Sequence, residues 1–373
     1  MTFPPIWITD FPGTLTPVQE TGVVGPAIGA TDGAYDVVVT PDGNRAYVSH
    51  RDTNTRAIVP IDLTTGAIGS AIPIPGNEVA MAMGPGGKTV YVTTDNGILV
   101  LIDTATGTVR SQLSMEGRTP DLAILPNGAT AFVIVNDGVV PVDTRTLKPS
   151  LRIPVFAGLQ SITMIPDGTS FYVASSDQIA AIPTGPRTTY PVTQLGGTTS
   201  SIVATPDGRL VLAVVGTTVV PIDVAAFKPG TPVQIGADPQ RIFTTQDAAF
   251  IPLADSHEIS SVLWSPSGRL TLGRDLVIPG QVNDATATAD QAPVARLAVT
   301  VAPAGRATIF DATASTTRYG AFRQFVWDFG DGARTTIVSV PGRPYYPRHV
   351  YAKPGTYTVS VTAVNSQGTS PAK

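Results

Sequence analysis

Short apolar runs separated by turn residues recur along most of the chain. In each copy a turn of the Pro-Asp-Gly type lies between two apolar runs of strand length, which is typical of a β-hairpin. The sequence therefore predicts at least five hairpins built to one plan. The copies are TPDGNRAYVSH (40–50), GPGGKTVYVTT (84–94), LPNGATAFVIV (125–135), IPDGTSFYVAS (165–175) and TPDGRLVLAVV (205–215).

The spacing of the hairpins is regular. The turn prolines at positions 41, 85, 126, 166 and 206 are 44, 41, 40 and 40 residues apart, a period that matches one four-stranded propeller blade. A worn sixth copy, TTQDAAFIPLA, follows around Gln246. Each hairpin therefore predicts the inner half of one blade.

A second motif follows each hairpin and predicts a third strand, a turn and a fourth strand. AIVPIDLTTGAI (57–68) is its clearest copy. One slot at the start of the turn holds an aspartate, whose carboxylate is expected to accept backbone N–H bonds and so to be structural. The slot is occupied by Asp62, Asp103, Asp143 and Asp223.

The two ends of this repetitive region complement each other. IWITDFPGTLTPVQETGVVGPAIG, near the N-terminus, matches strands two to four of a copy, and PGQVNDATATAD (279–290) lies where the first strand of a seventh copy would begin. Pairing them would close a ring and remove free sheet edges. We therefore predict an all-β chain that begins with a seven-bladed β-propeller over residues 1–290.

A second domain is predicted over residues 291–373, where the 40-residue period stops. HVYAKPGTYTVSVTAVNSQG (349–368) alternates apolar and polar residues with a period of two, which indicates a half-buried strand of a β-sandwich. In FVWDFGDG (325–332), Trp327 is expected in the core, and Gly330 and Gly332 are expected to permit a tight turn around Asp331.

Both regions resemble known families. YVSH, YVTT and YVAS after the turns, together with ID-TTG and ID-TATG after the third strands, resemble the YVTN family of seven-bladed propellers over about residues 5–290. FDATAS, WDFGDG and HVYAKPGTYTV resemble a PKD (polycystic kidney disease) domain, which implies an immunoglobulin-like β-sandwich. Many PKD domains have an acidic Asp-Pro-Asp-Gly loop where this chain has TTRYG (316–320), so a calcium site is not carried over.

Composition excludes several classes of chemistry. The chain has no cysteine, which removes disulfides, thiolate metal sites and cysteine nucleophiles. Its formal charge is −4, with a mildly basic C-terminal region, which indicates a solvated surface and no nucleic-acid partner. The longest apolar candidate, residues 210–222, is too short to span a membrane. The start, MTFPPIWITD, lacks the features of a secretion signal, so we expect none within these residues.

Catalytic chemistry has little support. An enzyme would depend on three histidines, His50, His257 and His349, none of which has the spacing of a metal-binding motif. His349 is expected to pack or to form a hydrogen bond. Two short stretches, ADSHE (254–258) and MGPGGKT (83–89), only superficially resemble a hydrolase triad and a phosphate loop. We expect no catalytic, cofactor-binding or metal-binding residue, and therefore no enzyme.

Superposing the copies gives a possible ligand rim in the loop that follows the second strand of each blade. One interpretation is that aspartates are simply good turn formers. The other is a funnel for a cation such as calcium, or for a polar ligand, because converging carboxylates repel one another unless something binds them. The rim comprises Asp10, Asp52, Asp95, Asp137, Asp177 and Asp255, with His50, Arg51 and His257 beside them.

The resemblances imply a non-enzymatic extracellular or cell-surface protein for recognition or adhesion. The propeller would be a platform that binds a protein or a cell-surface polysaccharide, and the PKD domain would be a spacer or adhesion domain. Two alternatives remain open. One is a propeller enzyme of the lactonase or oxidoreductase type, and the other is a structural subunit of a surface layer or appendage. We expect no cofactor, and calcium is the only one that the rim carboxylates suggest.

Overall fold

The computed structural model forms two compact units, one ending at Thr288 and the other following from Ala289. Among the described residues, no helix is long and apolar enough to cross a membrane. The structure describes residues 6–11, 13–30, 33–51, 56–185, 189–254, 256–288, 294–316, 322–339, 346–365 and 368–372.

The larger unit consists of short strands joined by turns. They are, in chain order, β1 (Ile6–Phe11), β2 (Thr14–Val18), β3 (Ile28–Gly29), β4 (Ala34–Val39), β5 (Arg45–Arg51), β6 (Arg56–Asp62), β7 (Ile72–Pro73), β8 (Glu78–Met83), β9 (Thr89–Thr94), β10 (Ile98–Asp103), β11 (Thr108–Ser114), β12 (Leu122–Ile124), β13 (Thr130–Val135), β14 (Gly138–Asp143), β15 (Ile153–Pro154), β16 (Ser161–Met164), β17 (Ser170–Ala174), β18 (Gln178–Pro183), β19 (Val192–Gln194), β20 (Thr199–Ala204), β21 (Leu210–Val215), β22 (Thr218–Asp223), β23 (Lys228–Pro229), β24 (Val233–Gln234), β25 (Phe243–Thr244), β26 (Ala248–Pro252), β27 (Glu258–Trp264), β28 (Leu270–Leu272), β29 (Leu276–Val277) and β30 (Gln281–Ala287).

These strands form seven sheets of four or five strands, which we number as blades. Blade 1 has the order β30-β1-β2-β3, blade 2 is β4–β7, blade 3 is β8–β11, blade 4 is β12–β15, blade 5 is β16–β19, blade 6 is β20–β24 and blade 7 is β25–β29. The innermost strands contact one another in the closed order β4-β8-β12-β16-β20-β25-β30 and back to β4. The unit is therefore a β-propeller with a central channel.

The ring closes where the sequence predicts. β30 pairs antiparallel with β1, with Ile8 opposite Ala285. The indole Nε1 of Trp7 donates a buried hydrogen bond of 3.1 Å to Oγ1 of Thr288. Because β1 and β30 come from opposite ends of the propeller sequence, this pairing removes two sheet edges at once.

Apolar side chains fill the space between neighbouring blades. Tyr47 of blade 2 is fully buried and packs in one cluster with Met81, Val92 and Val100 of blade 3. The Tyr47 hydroxyl donates to the carbonyl of Thr104 at 3.2 Å, so this large side chain is buried without leaving its polar atom unpaired.

The aspartates after the third strands have the structural role expected from the sequence. Oδ1 of Asp62 accepts hydrogen bonds from the backbone N–H groups of Thr64 at 2.9 Å and Thr65 at 2.8 Å. Hydrogen bonds from the Thr64 hydroxyl and from these backbone groups lower the pKa of Asp62 to about 2. Asp103 and Asp143 bind their own turns in the same way.

The smaller unit contains β31 (Ala298–Thr300), β32 (Ala307–Asp311), β33 (Gln324–Asp328), β34 (Arg334–Val338), β35 (Arg348–Val350), β36 (Ser360–Asn365) and β37 (Gly368–Ala372). One sheet has the order β31-β32-β35 and the other β34-β33-β36-β37. Trp327 is fully buried, as predicted, and its ring lies 6.1 Å from that of Phe310 in the other sheet. The unit is a β-sandwich.

Regular pairing in the predicted alternating strand begins only at Ser360. The reason is that its partner β33 ends at Asp328, opposite Ser360, so residues further upstream have no strand beside them. The alternation still holds, because Val361 and Ala363 are buried and Tyr357 and Val359 pack against the same core.

The turn after β33 has the predicted geometry. Gly330 and Gly332 have φ values of 78° and 95°, which glycine adopts most easily. A Cβ atom at Gly330 would lie 2.4 Å from the carbonyl oxygen of Thr358, so this position also excludes side chains. Within TTRYG, residues 317–320 lie outside the described residues.

Candidate functional site

The polar site of the propeller is built from one repeated position on, or one to two residues before, the innermost strands. In blades 2 to 6 this position lies five residues before the turn proline, and blades 1 and 7 have an equivalent residue. Asp36 and Asp284 show the equivalence, because their backbone N–H groups donate to Ser49 Oγ and Thr9 Oγ1 of their own blades. From blade 1 to blade 7 the residues are Asp284, Asp36, Ala80, Asp121, Ser161, Ser201 and Arg241.

Side-chain oxygens at this position join each blade to the next. Oγ of Ser161 accepts from the backbone N–H of Ile202 at 3.2 Å, and Oγ of Ser201 accepts from Ile242 at the same distance. Oδ2 of Asp121 accepts from the backbone N–H of Ile162 at 2.9 Å. Because these groups are buried, each contact satisfies a backbone donor that would otherwise have no partner.

The pattern changes after the blade that has alanine at this position. Ala80 has no side-chain oxygen, so the backbone N–H of Leu122 donates instead to Oδ1 of Asp121 at 2.8 Å. After blade 7, where the residue is Arg241, the backbone N–H of Ala285 likewise donates to the carboxyl of Asp284. The acceptor of the backbone N–H between two blades thus depends on the residue type at this position.

Arg241 is the cation of this ring. Its Nη1 lies 3.2 Å from Oδ2 of Asp36, its Nη2 donates to the carbonyl of Met81 at 3.4 Å, and Nη2 lies 3.9 Å from Oδ1 of Asp121. Its side chain keeps 39% exposure, and it lies two residues before β25 among the residues that line the channel.

Burial and neighbouring charges shift the ionisation of the ring. Burial alone would lower the pKa of Arg241, but the surrounding carboxylates outweigh burial and raise it. Burial raises the pKa of Asp121. It also raises that of Asp284, well above its usual range, and the nearby carboxyl of Asp36 adds to this effect. In decreasing strength, the carboxylates that act on Arg241 are Asp36, Asp121, Asp284 and Glu78.

A cavity of about 200 Å³ lies within the ring. Residues from the innermost strands of all seven blades line it, so the cavity is part of the central channel. Its polar lining is Asp121, Ser161, Thr163, Arg241, Asp284 and Thr286. Much of the remaining lining is apolar and includes Met81, Ile202, Ile242 and Phe243. A few convergent polar groups on an apolar wall are typical of a small-molecule site.

The described rim aspartates make local contacts. Asp10 is buried and accepts from the backbone N–H of Thr14 at 3.0 Å. Asp95 accepts from the backbone N–H and the side-chain amide of Asn77 at 3.0 and 2.7 Å. Asp137 forms an exposed ion pair with Arg152. The contact of Asp10 stays within its own turn, whereas those of Asp95 and Asp137 reach residues 18 and 15 positions away in the same blade.

The other rim residues that the structure describes make separate contacts. The backbone carbonyl of Asp177 accepts from the backbone N–H of Leu195 at 2.7 Å. Nδ1 of His257 lies 2.9 Å from the carbonyl oxygen of Gly280. His50 lies on β5 opposite Ala34. Asp52, Asp255 and the side chain of Arg51 lie outside what the structure describes.

Within the described ranges, no group of three histidine, aspartate or glutamate side chains is arranged to hold a metal ion. The channel residues were not predicted from the sequence. The signal was nonetheless present, because a charged or hydroxyl residue recurs five positions before the turn proline in otherwise apolar strands. The rim and the channel are thus two separate sets of residues.

In the smaller unit, His349 has the packing and hydrogen-bonding role expected for it. Its Nε2 lies 2.6 Å from Oδ2 of Asp331, and its ring stacks on Phe329 with the centroids 4.4 Å apart. This hydrogen bond is the largest cause of the lowered pKa of Asp331. The contact joins β35 to the turn that contains Gly330 and Gly332.

Comparisons with known proteins agree with both folds. Residues 290–373 match the PKD domain family, and no curated protein sequence matches the chain. The solved structures it resembles include the periplasmic gluconolactonase of Pseudomonas aeruginosa, with a TM-score of 0.63 and 12% identity over 77% of this chain and 99% of that one.

Two further structures resemble the chain. A candidate 6-phosphogluconolactonase of Bacteroides uniformis has a TM-score of 0.62 and 15% identity, over 76% of this chain and 99% of that one. Hydrazine synthase of Kuenenia stuttgartiensis has a TM-score of 0.57 and 15% identity, over 71% of this chain and 90% of that one. At such low identity the likeness concerns the fold alone, and the fold hosts different functions.

Proposed function

We propose that this protein is a non-enzymatic extracellular protein for recognition or adhesion, with a YVTN-type propeller as its binding platform. The observation that carries the proposal is the match of residues 290–373 to the PKD domain family, because PKD domains are typical of extracellular proteins. The PKD domain acts as a spacer or adhesion domain. The partner is a protein or a cell-surface polysaccharide.

The platform in this proposal is the rim end of the propeller. Its side chains present charge and hydrogen-bonding groups to solvent: Asp137 and Arg152 keep 54% and 47% exposure within their ion pair, and Asp95 and Asn77 form an exposed pair in the blade before. A polar, solvated surface of this kind is suited to reversible recognition, in which bridging water contributes to binding.

The test is binding of the purified full chain to immobilised bacterial surface polysaccharides and to extracellular-matrix proteins. We expect the parent to bind saturably. The rim double variant Asp95→Asn/Asp137→Asn should bind more weakly. The matched control is Asp62→Asn/Asp103→Asn, which changes two turns at the other end of the blades and should bind like the parent. A folded chain that binds neither class, or equal losses in both double variants, would refute the proposal.

A second candidate function is hydrolysis of a small ester or lactone in the channel. The observation that favours it is the ring of carboxyls around Arg241, since groups of differing ionisation supply a general acid and a general base. Two of the structural relatives bear lactonase names. Proton release from δ-gluconolactone in a pH-stat, faster than the spontaneous rate and lost in Asp284→Asn, would favour this enzyme over the recognition protein.

A further inference from the structure

The channel contains more carboxylates than cations. Four carboxylic side chains act on Arg241, and Arg241 is the only basic residue among those that line the cavity in the described part of the chain. Asp36 and Asp284 are 4% and 6% exposed. Negative charge buried to this extent is costly unless a proton or another cation balances it.

The ring also has more hydrogen-bond acceptors than donors. Oδ2 of Asp36 accepts from Arg241 and from the backbone N–H of Met81. Oδ1 of Asp36 is buried and, among the residues that the structure describes, receives no N–H or O–H from a fixed donor. Its neighbour is the carboxyl of Asp284, which donates to Asp36 only when it is protonated. One acceptor at the blade 1 to blade 2 seam therefore depends on an exchangeable proton.

The shape of the cavity narrows the choice of ligand. About 200 Å³ is room for a small organic molecule. Met81, Ile202, Ile242 and Phe243 give it apolar walls that suit an alkyl chain, whereas Asp121 and Asp284 provide acceptors. The described residues offer no group of three histidine or carboxylate side chains that could hold a metal ion.

We propose that the channel cavity binds a small alkylammonium ion, whose N–H groups donate to the carboxylates of Asp284 and Asp121 while its alkyl chain packs against the apolar wall. Binding is accompanied by release to solvent of the proton held between Asp36 and Asp284. The positive charge of the ligand thereby replaces that of the released proton, and its N–H groups donate to acceptors that face the cavity. This site does not depend on the recognition role of the rim.

The experiment uses the full chain and n-butylammonium chloride as the probe at pH 8, followed by titration calorimetry in two buffers of different ionisation enthalpy. We expect saturable binding, a heat that depends on the buffer because a proton is released, and an affinity that falls as the pH is lowered. Tetramethylammonium, which has no N–H donor, should bind at least about tenfold more weakly, since charge-assisted hydrogen bonds are lost.

Variants complete the test. Asp284→Asn removes the exchangeable proton and one carboxylate, and should weaken n-butylammonium binding by at least about tenfold and abolish the buffer dependence. Asp103→Asn, an exposed turn aspartate, should bind like the parent. If Asp284→Asn does not fold, Asp121→Asn tests the other acceptor and should also weaken binding at least about tenfold.

Four results would overturn the proposal. These are no binding of n-butylammonium, equal affinity for tetramethylammonium, unchanged affinity in both channel variants, and stabilisation by glucose or calcium chloride but not by n-butylammonium at matched ionic strength. Because the rim variants leave the channel intact, failure of this proposal is distinguishable from failure of the recognition role.

Discussion

Nη1 of Arg241 lies 3.2 Å from Oδ2 of Asp36, although the two residues are 205 positions apart and belong to blades 7 and 2. β30, the strand that bears Asp284 and closes the ring, lies between the innermost strands of these two blades. The charges of the channel and the closure of the propeller are therefore coupled at one place, and the first two predictions concern it.

The stability of the propeller should fall as the pH rises above about 4, because the pKa of Asp284 is raised in the folded state. Above the unfolded pKa of about 3.9 the folded protein holds the proton more tightly than the unfolded chain, and this advantage is lost as the carboxyl ionises. Asp284→Asn, which does not ionise, should flatten the decline. Asp103→Asn is the control, since the lowered pKa of Asp103 acts below pH 4. The measurement is the melting temperature of the parent and of both variants as a function of pH. If the melting temperature of Asp284→Asn declined with pH as steeply as that of the parent, the prediction would be contradicted.

Deleting residues 1–30 should make the chain insoluble or lower its melting temperature strongly. The deletion removes β1, which pairs with β30 along most of its length, and so exposes a sheet edge and two blade interfaces. Removing residues 293–373 is the control, because it leaves the ring intact. Circular dichroism melting curves of both deletions measure this loss of stability. If the chain without residues 1–30 melted like the parent, closure of the ring by β1 and β30 would be ruled out.

Ser161→Ala should destabilise the propeller by about 1–3 kcal/mol, because the buried backbone N–H of Ile202 loses its acceptor. Ser267→Ala, at an exposed turn, should cost less than about 0.5 kcal/mol. Chemical denaturation gives both values. Equal costs for the two variants would mean that the hydrogen bond between blades 5 and 6 contributes nothing specific.

Much of this architecture could be predicted from the sequence, and the reason is physical. Blades 2 to 6 repeat the same turn chemistry, so Gly43 and its counterparts mark their hairpins with a positive φ. The closing strand β30 could be predicted because a blade that lacks its first strand needs one from elsewhere. Trp327 was predictable because a large aromatic residue in a half-buried strand points into the core.

The channel could not be predicted in the same way. Its residues differ in type from blade to blade, and Arg241 lies in the blade whose turn lacks the Pro-Asp-Gly sequence. The rim aspartates could be recognised in the sequence because they share one residue type. In the structure, the described ones bind neighbouring groups. What distinguishes Asp36 and Asp121 from them is contact between blades, and the sequence of a single blade does not contain that information.

Calcium at millimolar concentration should leave the melting temperature of the full chain unchanged, because Asp95 and Asp137 already bind Asn77 and Arg152. Asp95→Asn/Asp137→Asn should change stability by no more than about 1 kcal/mol, as is usual for exposed pairs. Calorimetry with calcium and with a chelator is the measurement. A calcium-dependent rise that disappears in the double variant would instead make the rim a cation site.

Trp327→Ala should destabilise the PKD domain by about 3–5 kcal/mol, since a fully buried aromatic side chain is lost. If the two units unfold independently, calorimetry of the full chain shows two transitions, and only one moves in this variant. Trp7→Ala is the counterpart that should move only the other. A single transition that shifts in both variants would contradict independent folding.

The most direct measurement is a crystal structure of the full chain grown at pH 8 with n-butylammonium. The account predicts a ring of seven blades closed by β30, with ligand density in the channel and its nitrogen within hydrogen-bonding distance of Asp284 or Asp121. A channel that holds only water under these conditions, or a ligand bound solely at the outer surface, would contradict it.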